Sequence, residues 1–133
     1  MIAAVADTHT AVWYLFNNPR LSATARQAIE EALLAGDQIG VSSISLVEMV
    51  YLSEKGRIPS TAVHDLIHRL LDPESPLHEL PVDASVAEQT ASISRDEVPD
   101  MPDRIVAATG LRYAVPVISR DGKIRASRIQ TIW

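Results

Sequence analysis

Four acidic residues stand where the chain can bring their carboxylates together. Asp7 follows the apolar run 2–6, and Asp121 follows the apolar run 115–119. Glu48 and Asp103 fall in the first turns of two predicted helices. Like charges about 4 Å apart repel by about 4 kcal/mol at an effective dielectric near 20, so such a cluster requires a cation. Hard oxygen ligands suit Mg²⁺ or Mn²⁺, and such an ion can orient water and stabilise charge on a phosphodiester.

Each of these residues also has a purely structural interpretation. Asp7 can serve as a helix N-cap, and Ser45 with Glu48 matches a capping box. Asp103 can complement a helix dipole, and Asp121 with the glycine after it is a common turn dipeptide. These interpretations explain each residue singly, but they do not explain why all four fall at one predicted edge of a sheet.

Histidines and aromatic residues offer weaker signals. His64 and His68 are spaced i,i+4 and could share a helix face as zinc ligands, but no HExxH motif or third ligand accompanies them, which favours solvated positions. His9 is interpreted as a structural histidine. The aromatic residues 13, 14 and 16 are interpreted as core and partner-facing surface in preference to a base-stacking platform. No GxGxxG, Walker or GxSxG motif occurs, and a Ser-His-Asp triad without that elbow stays open.

The elements that must position the acidic residues follow from apolar runs and from helix start and stop signals. We predict strands at 2–6, 38–42, 77–81, 115–119 and 129–133. We predict helices at 23–35 after Ser22, from Ser43 or Ser45 to 55, at 60–71 with Ser60 as cap, at 83–95, and at 102–113 with Pro102 as the first helical residue. Residues 98–102 are a predicted loop, and residues 121–122 a predicted turn.

This alternation predicts an α/β fold, in which a mainly parallel central sheet is flanked by helices as an α/β/α sandwich. With 133 residues, one domain spanning 1–133 is expected. In open parallel sheets, ligands bind at the carboxyl ends of strands, where Asp7 and Asp121 are predicted to lie. The strand-end rule therefore supports the acidic site.

Composition limits the remaining possibilities. No apolar run of about 20 residues exists, so no membrane partner is expected. The absence of cysteine suits a reducing compartment, and the N-terminus lacks a basic leader, so we expect a cytoplasmic protein. The net charge of −5 is unevenly distributed: residues 1–103 carry 6 Lys and Arg against 16 Asp and Glu, whereas residues 104–133 carry 6 against 1. This split points to function or assembly more than to fold.

Four motifs occur in order along the chain. They are Asp7-Thr8-His9 followed by Trp13, then Ser43 to Glu48 with residues 53–58, then Asp100 to Thr109, and finally Ser119-Arg120-Asp121 followed by Ile124. The ending Thr131-Ile132-Trp133 accompanies them. As an ordered set covering nearly the whole chain, they resemble the motifs of PIN-domain proteins of the VapC toxin type.

The resemblance implies a metal-dependent endoribonuclease, the toxin of a toxin–antitoxin pair. It implies that Asp7, Glu48, Asp103 and Asp121 form an acidic quartet around Mg²⁺ or Mn²⁺, with Asp7, Asp103 and Asp121 as metal ligands. Asp100 becomes an auxiliary acid, and Ser119 matches a position that is often Thr. The resemblance also implies a homodimer and a VapB-type antitoxin, for whose groove Trp13, Tyr14 and Tyr51 are candidates.

The working hypothesis is hydrolysis of an RNA phosphodiester. The bound metal would activate a water, with Glu48 as a ligand or as the base, and the basic C-terminal segment would hold RNA through Arg104, Arg120, Lys123 and Arg125. Two alternatives remain. One is a receiver-like phosphoacceptor module, which normally needs paired acids after the first strand. The other is a non-catalytic subunit that binds RNA or a partner.

Overall fold

The chain folds around one five-stranded sheet. The structure is a computed structural model that describes residues 1–133. The strands are β1 (Ile2–Ala6), β2 (Gln38–Ser42), β3 (Leu77–Leu80), β4 (Val117–Ile118) and β5 (Thr131–Ile132). They are arranged in the order β3-β2-β1-β4-β5, and every neighbouring pair is parallel. The predicted parallel sheet is confirmed, with β1 at its centre and β3 at one edge.

Seven helices connect and cover the strands. They are α1 (Thr8–Leu15), α2 (Ala23–Leu34), α3 (Ser43–Glu54), α4 (Thr61–Leu71), α5 (Ala84–Ala91), α6 (Met101–Tyr113) and α7 (Gly122–Ala126). The start of α2 is as predicted, because the side chain of Ser22 accepts a hydrogen bond from the backbone N–H of Ala25. Gly36 and Gly56 follow α2 and α3 with φ of 79° and 72°, a conformation that glycine adopts at little cost. No helix combines the length and the apolar character needed to cross a bilayer.

Two short helices were missed, and several predicted element boundaries are wrong. The helix α1 was not predicted, and the predicted turn at 121–122 is the start of α7. Asp7 and Asp121 each cap the helix that follows, and such short helices carry little periodic signal. The helix α5 ends at Ala91 instead of residue 95, and β4 and β5 are two residues each instead of five. The two strands pair with each other through only two residue pairs, Val117 with Thr131 and Ile118 with Ile132.

The helix α3 begins at Ser43, one of its two predicted starts, but details of capping or of the first residue differ from prediction at three helices. The cap of α3 is Ser42, whose Oγ accepts from the backbone N–H of Ile44, so the proposed capping box of Ser45 and Glu48 does not form. Met101, not Pro102, is the first residue of α6. Ser60 precedes α4 as predicted, but its side chain makes no capping hydrogen bond.

The sheet separates two apolar cores, as an α/β/α sandwich requires. Along β1, Ala4 and Ala6 belong to a core of 16 buried residues that includes side chains of α1, α2, α3 and α4. Val5 points to the other face and belongs to a core of 11 buried residues formed with α5, α6 and α7. Successive strand side chains alternate between faces, which explains this division. The predicted fold class is confirmed.

One glycine brings α6 close to the sheet. A Cβ at Gly110 would lie 2.7 Å from Cγ2 of Val117 and 3.2 Å from the carbonyl oxygen of Val115. Only a residue without a side chain fits between this helix and β4. The close approach sets the distance between the helix that carries Asp103 and the strand that leads to Asp121.

Candidate active site

Asp7 ends the central strand and caps the helix that follows it. Its backbone N–H donates to the carbonyl of Ile118 at 3.1 Å, which ties the end of β1 to the end of β4. Its Oδ1 accepts a hydrogen bond from the backbone N–H of Thr10 at 2.8 Å. Its Oδ2 accepts none from the protein. The capping role and a ligand role are therefore compatible, because each uses a different oxygen.

Asp121 repeats this arrangement at the end of the neighbouring strand. Its Oδ1 accepts from the backbone N–H groups of Lys123 and Ile124 at 2.9 and 3.0 Å, and its Oδ2 accepts no hydrogen bond from the protein. The Oγ of buried Ser119 accepts from the backbone N–H of Asp121 at 3.0 Å. Ser119 thus supports the backbone that carries the acid, and its side chain does not line the cleft described below.

The start of α6 supplies two more carboxylates. Exposed Asp100 caps the helix, and its Oδ2 accepts from the backbone N–H of Asp103 at 3.1 Å. The carboxylate of Asp103, in the first turn, accepts no hydrogen bond from the protein. The pKa of Asp103 is raised from 3.8 to about 7, chiefly by burial and in addition by the negative charges of Asp121, Asp100, Glu48 and Asp7. The folded chain thus holds a carboxyl whose charge no protein group stabilises.

Glu48 approaches from the opposite side, on α3. The hydroxyl of Thr8 donates to the Oγ of Ser45 at 2.9 Å, and both side chains are buried. This bond joins the first turns of α1 and α3, one helical turn from Glu48. The carboxylate of Glu48 is half-buried and accepts no hydrogen bond from the protein.

All five carboxylates line one cleft of about 550 Å³ at the carboxyl ends of β1 and β4. The other residues that line it are His9, Trp13, Arg20, Arg120 and Gly122. No carboxylate in the cleft pairs with a cation within 4.0 Å, since the only such pair in the protein joins the N-terminus to Asp37. Uncompensated acids at one place are what a divalent cation would neutralise.

The donor chemistry suits Mg²⁺ or Mn²⁺, but the site is not preformed. All the acidic donors are hard carboxylate oxygens, the type that these ions prefer. No three His, Asp or Glu side chains are grouped so that they could hold one metal ion as they stand.

The predicted RNA-binding cations are distributed unevenly. Arg120 lines the cleft, whereas Arg104, Lys123 and Arg125 do not. The Nε of Arg104 donates to the carbonyl of Ile93 at 2.9 Å, which joins α6 to the segment after α5. Lys123 and Arg125 are exposed on α7. They are therefore accessible to a ligand that extends beyond the cleft.

Two residues of the cleft were not identified from sequence. His9 was interpreted as a structural histidine, but it is exposed, and its ring centroid lies 5.5 Å from that of Trp13. Its place two residues after Asp7, in the first turn of α1, was the available signal. Arg20 lies in the segment after α1, and no local pattern associated it with the acids.

The remaining candidates lie elsewhere. His64 and His68 are exposed on α4 with ring centroids 4.3 Å apart, and no third ligand joins them. Tyr51 is 60% exposed and lines a second groove of about 520 Å³ beside Glu48 and Asp100. Tyr14 packs against the core of 16 residues. Of the three candidates for a partner groove, Tyr51 is therefore the most accessible.

Comparison with known proteins agrees with this architecture. The model of the PIN domain family matches residues 4–129. Ribonuclease VapC22 of Mycobacterium tuberculosis is 28% identical over 137 residues, with all of both chains covered. Among solved structures, VapBC2 from Rickettsia felis, bound to a DNA fragment from its promoter, is 17% identical with a TM-score of 0.70, covering 98% of this chain and 97% of that one.

A DNA-bound VapBC from Salmonella typhimurium is 20% identical with a TM-score of 0.70, with the same coverage of 98% and 97%. These structural similarities concern the fold, and they extend over nearly the whole of each chain. The family match carries the assignment, because it spans almost all of the elements that position the acidic cleft. The chain belongs to the PIN domain family.

Proposed function

We propose that this protein is an Mg²⁺- or Mn²⁺-dependent endoribonuclease and the toxin of a toxin–antitoxin pair. The observation that carries the proposal is the convergence of Asp7, Glu48, Asp100, Asp103 and Asp121 on one cleft without a compensating cation. The relative VapC22 is named a ribonuclease, which supports RNA as the substrate. Because the chain belongs to the PIN domain family, its acidic cleft is not interpreted as that of a receiver-like phosphoacceptor module.

Asp7, Asp103 and Asp121 would hold the metal ion. A bound Mg²⁺ or Mn²⁺ stabilises negative charge on a phosphodiester and lowers the pKa of nearby water. The Oδ1 hydrogen bonds fix Asp7 and Asp121 to helix N-termini and leave each Oδ2 free to bind. Glu48, with both oxygens free of protein hydrogen bonds, accepts the proton of the attacking water. Arg120 binds the RNA strand.

The proposed partners are a VapB-type antitoxin and a second copy of this chain. The structures similar in fold include complexes of VapBC type, which supports an antitoxin. The groove lined by Val47, Tyr51 and Met101 adjoins Glu48 and Asp100, so an apolar segment lying there would also cover the cleft. We place the protein in the cytoplasm, where RNA and a small antitoxin would both be available.

The decisive experiment measures RNA cleavage by the purified chain. We expect cleavage with Mg²⁺ or Mn²⁺, none with EDTA, and a loss of at least about a hundredfold for Asp103→Asn, because removal of a metal ligand removes transition-state stabilisation worth several kcal/mol. Asp96→Asn is the matched control, since Asp96 is exposed and lies outside the cleft. Undiminished cleavage by Asp103→Asn would refute the nuclease site.

The non-catalytic alternative is separated by the same assay. A subunit that only sequesters RNA or a partner would bind RNA without metal-dependent turnover. If well-folded wild-type protein leaves the RNA uncleaved with either metal ion, the result would favour that alternative. Binding in the absence of cleavage would then identify the cleft as a recognition site.

A further inference from the structure

Arg120 has an unusual position among the acids of the cleft. It lines the same cleft as five carboxylates and is exposed. It forms no ion pair with any of them within 4.0 Å, and its guanidinium makes no hydrogen bond to the protein. Its charge and its donor groups are therefore free, although acids surround it.

The guanidinium is held by an aromatic ring instead. Its Cζ lies 4.9 Å from the ring centroid of Trp13, within the range of a cation–π interaction. Trp13 is only 6% exposed, and its ring is tilted against those of His9 and Trp133, with centroids 5.5 and 5.9 Å away. A buried ring packed on several sides is a fixed support, so Trp13 determines where Arg120 lies.

We propose that Trp13 holds Arg120 as a platform on which one nucleobase of the bound RNA stacks. This inference rests on the proposed function and assigns a base-binding subsite to the same cleft. The Cζ of Arg120 lies over the ring of Trp13, and Arg120 is exposed and lines the cleft, where a base can reach it. A planar, weakly hydrated guanidinium stacks on π-systems, which a lysine ammonium does not do.

The support beneath Arg120 favours a base at this position. In the proposed function the metal ion takes the phosphodiester, which leaves the guanidinium on Trp13 for a planar group that it can stack on. The edge of the guanidinium keeps its N–H groups free for the acceptor atoms of that base or of its ribose. Trp13 acts as a positioning residue, and Arg120 makes the contact.

The test measures binding of fluorescent oligoadenylate and of an abasic ribose-phosphate oligomer of equal length. Both are bound to the full chain carrying Asp103→Asn, with Mg²⁺ present, so that neither is cleaved. We expect Arg120→Lys to weaken oligoadenylate binding about tenfold and to leave abasic binding unchanged, because charge is retained and stacking is lost. The salt dependence of affinity should stay the same.

Arg112→Lys provides the matched control. The Cζ of Arg112 lies 5.2 Å from the ring of Tyr113, a similar pair outside the cleft. It should change neither affinity. Equal loss for both oligomers in Arg120→Lys would show that the guanidinium contacts the ribose-phosphate backbone instead of a base, which would overturn the proposal. No loss, or no preference of the parent protein for oligoadenylate, would equally overturn it.

The role of Trp13 is tested by a double-mutant cycle. Trp13→Leu and Arg120→Lys should each remove the preference for oligoadenylate, and together they should remove no more than either alone. If Trp13→Leu does not fold, Trp13→Phe replaces it in the same cycle. Its loss of preference for oligoadenylate should be smaller, and it should still not add to the loss caused by Arg120→Lys. Additive losses would show that Trp13 does not act through Arg120. A wild-type protein that binds as expected but never cleaves RNA would refute the proposed nuclease and leave the subsite standing.

Discussion

Replacement of Asp103 by asparagine should stabilise the metal-free protein at neutral and higher pH. The pKa of Asp103 is about 7 in the folded chain against an ordinary 3.8. The folded state therefore binds more protons than the unfolded state between these values, and stability falls as pH rises through that window. Above about pH 7 the carboxylate is ionised in both states, and the folded protein carries the whole penalty of its burial and of the neighbouring charges.

The size of this penalty follows from the shift. At 1.36 kcal/mol per pKa unit, the full difference corresponds to roughly 4 kcal/mol. Because the side chain is partly exposed, solvent screening reduces the expected value to roughly 2 kcal/mol. Asp103→Asn should therefore match the wild type in free energy of unfolding near about pH 4, and exceed it by roughly 2 kcal/mol near about pH 8.

Urea unfolding in EDTA at the two pH values measures this difference directly. Asp96→Asn makes the same chemical change at an exposed position outside the cleft, and it should show no pH-dependent difference. Added Mg²⁺ should stabilise the wild type more than Asp103→Asn, by about 2.7 kcal/mol at a hundredfold excess over the dissociation constant. Equal stability of wild type and Asp103→Asn at the higher pH would refute the account of uncompensated repulsion.

Two further substitutions test how the fold supports the cleft. Gly110→Ala should lower the free energy of unfolding by roughly 1–2 kcal/mol, because its Cβ would meet Val117 and the backbone of Val115, while Gly122→Ala, whose Cβ meets nothing within 4 Å, should not. Asp7→Asn should keep nearly full stability, because asparagine caps helices as well as aspartate does, yet lose RNA cleavage; Asp7→Ala should lose about 1 kcal/mol as well. Thermal unfolding with cleavage assays checks both, and a stable Gly110→Ala or an active Asp7→Asn would contradict the reasoning.

The sequence by itself determined the alternation of strands and helices. Apolar runs of strand length, the cap at Ser22 and the stops at Gly36 and Gly56 are local signals, and the structure confirms the elements they predicted. The helices predicted between successive strands implied that the strands run parallel. The rule that strands of such a sheet end at one edge was then enough to select Asp7 and Asp121 as neighbours.

Short elements could not be predicted in the same way. The helix α7 is only five residues long, and in α1 apolar residues run without interruption from Ala11 to Leu15, so no periodic pattern stands out in either helix. The two-residue strands β4 and β5 depend on their partners in the sheet more than on their own composition. Tertiary pairing defined these boundaries because local propensity is weak over so few residues.

The tertiary structure alone decided the electrostatics of the cleft. The raised pKa of Asp103 depends on burial and on four acids, of which three are distant in sequence. The positions of Arg20 and Arg120 likewise depend on how the chain folds back after α1 and β4, and only the packing of Trp13 shows what holds Arg120. Sequence spacing identifies candidate ligands, but charge interactions act through space, so their strength is set by distances that only the folded chain defines.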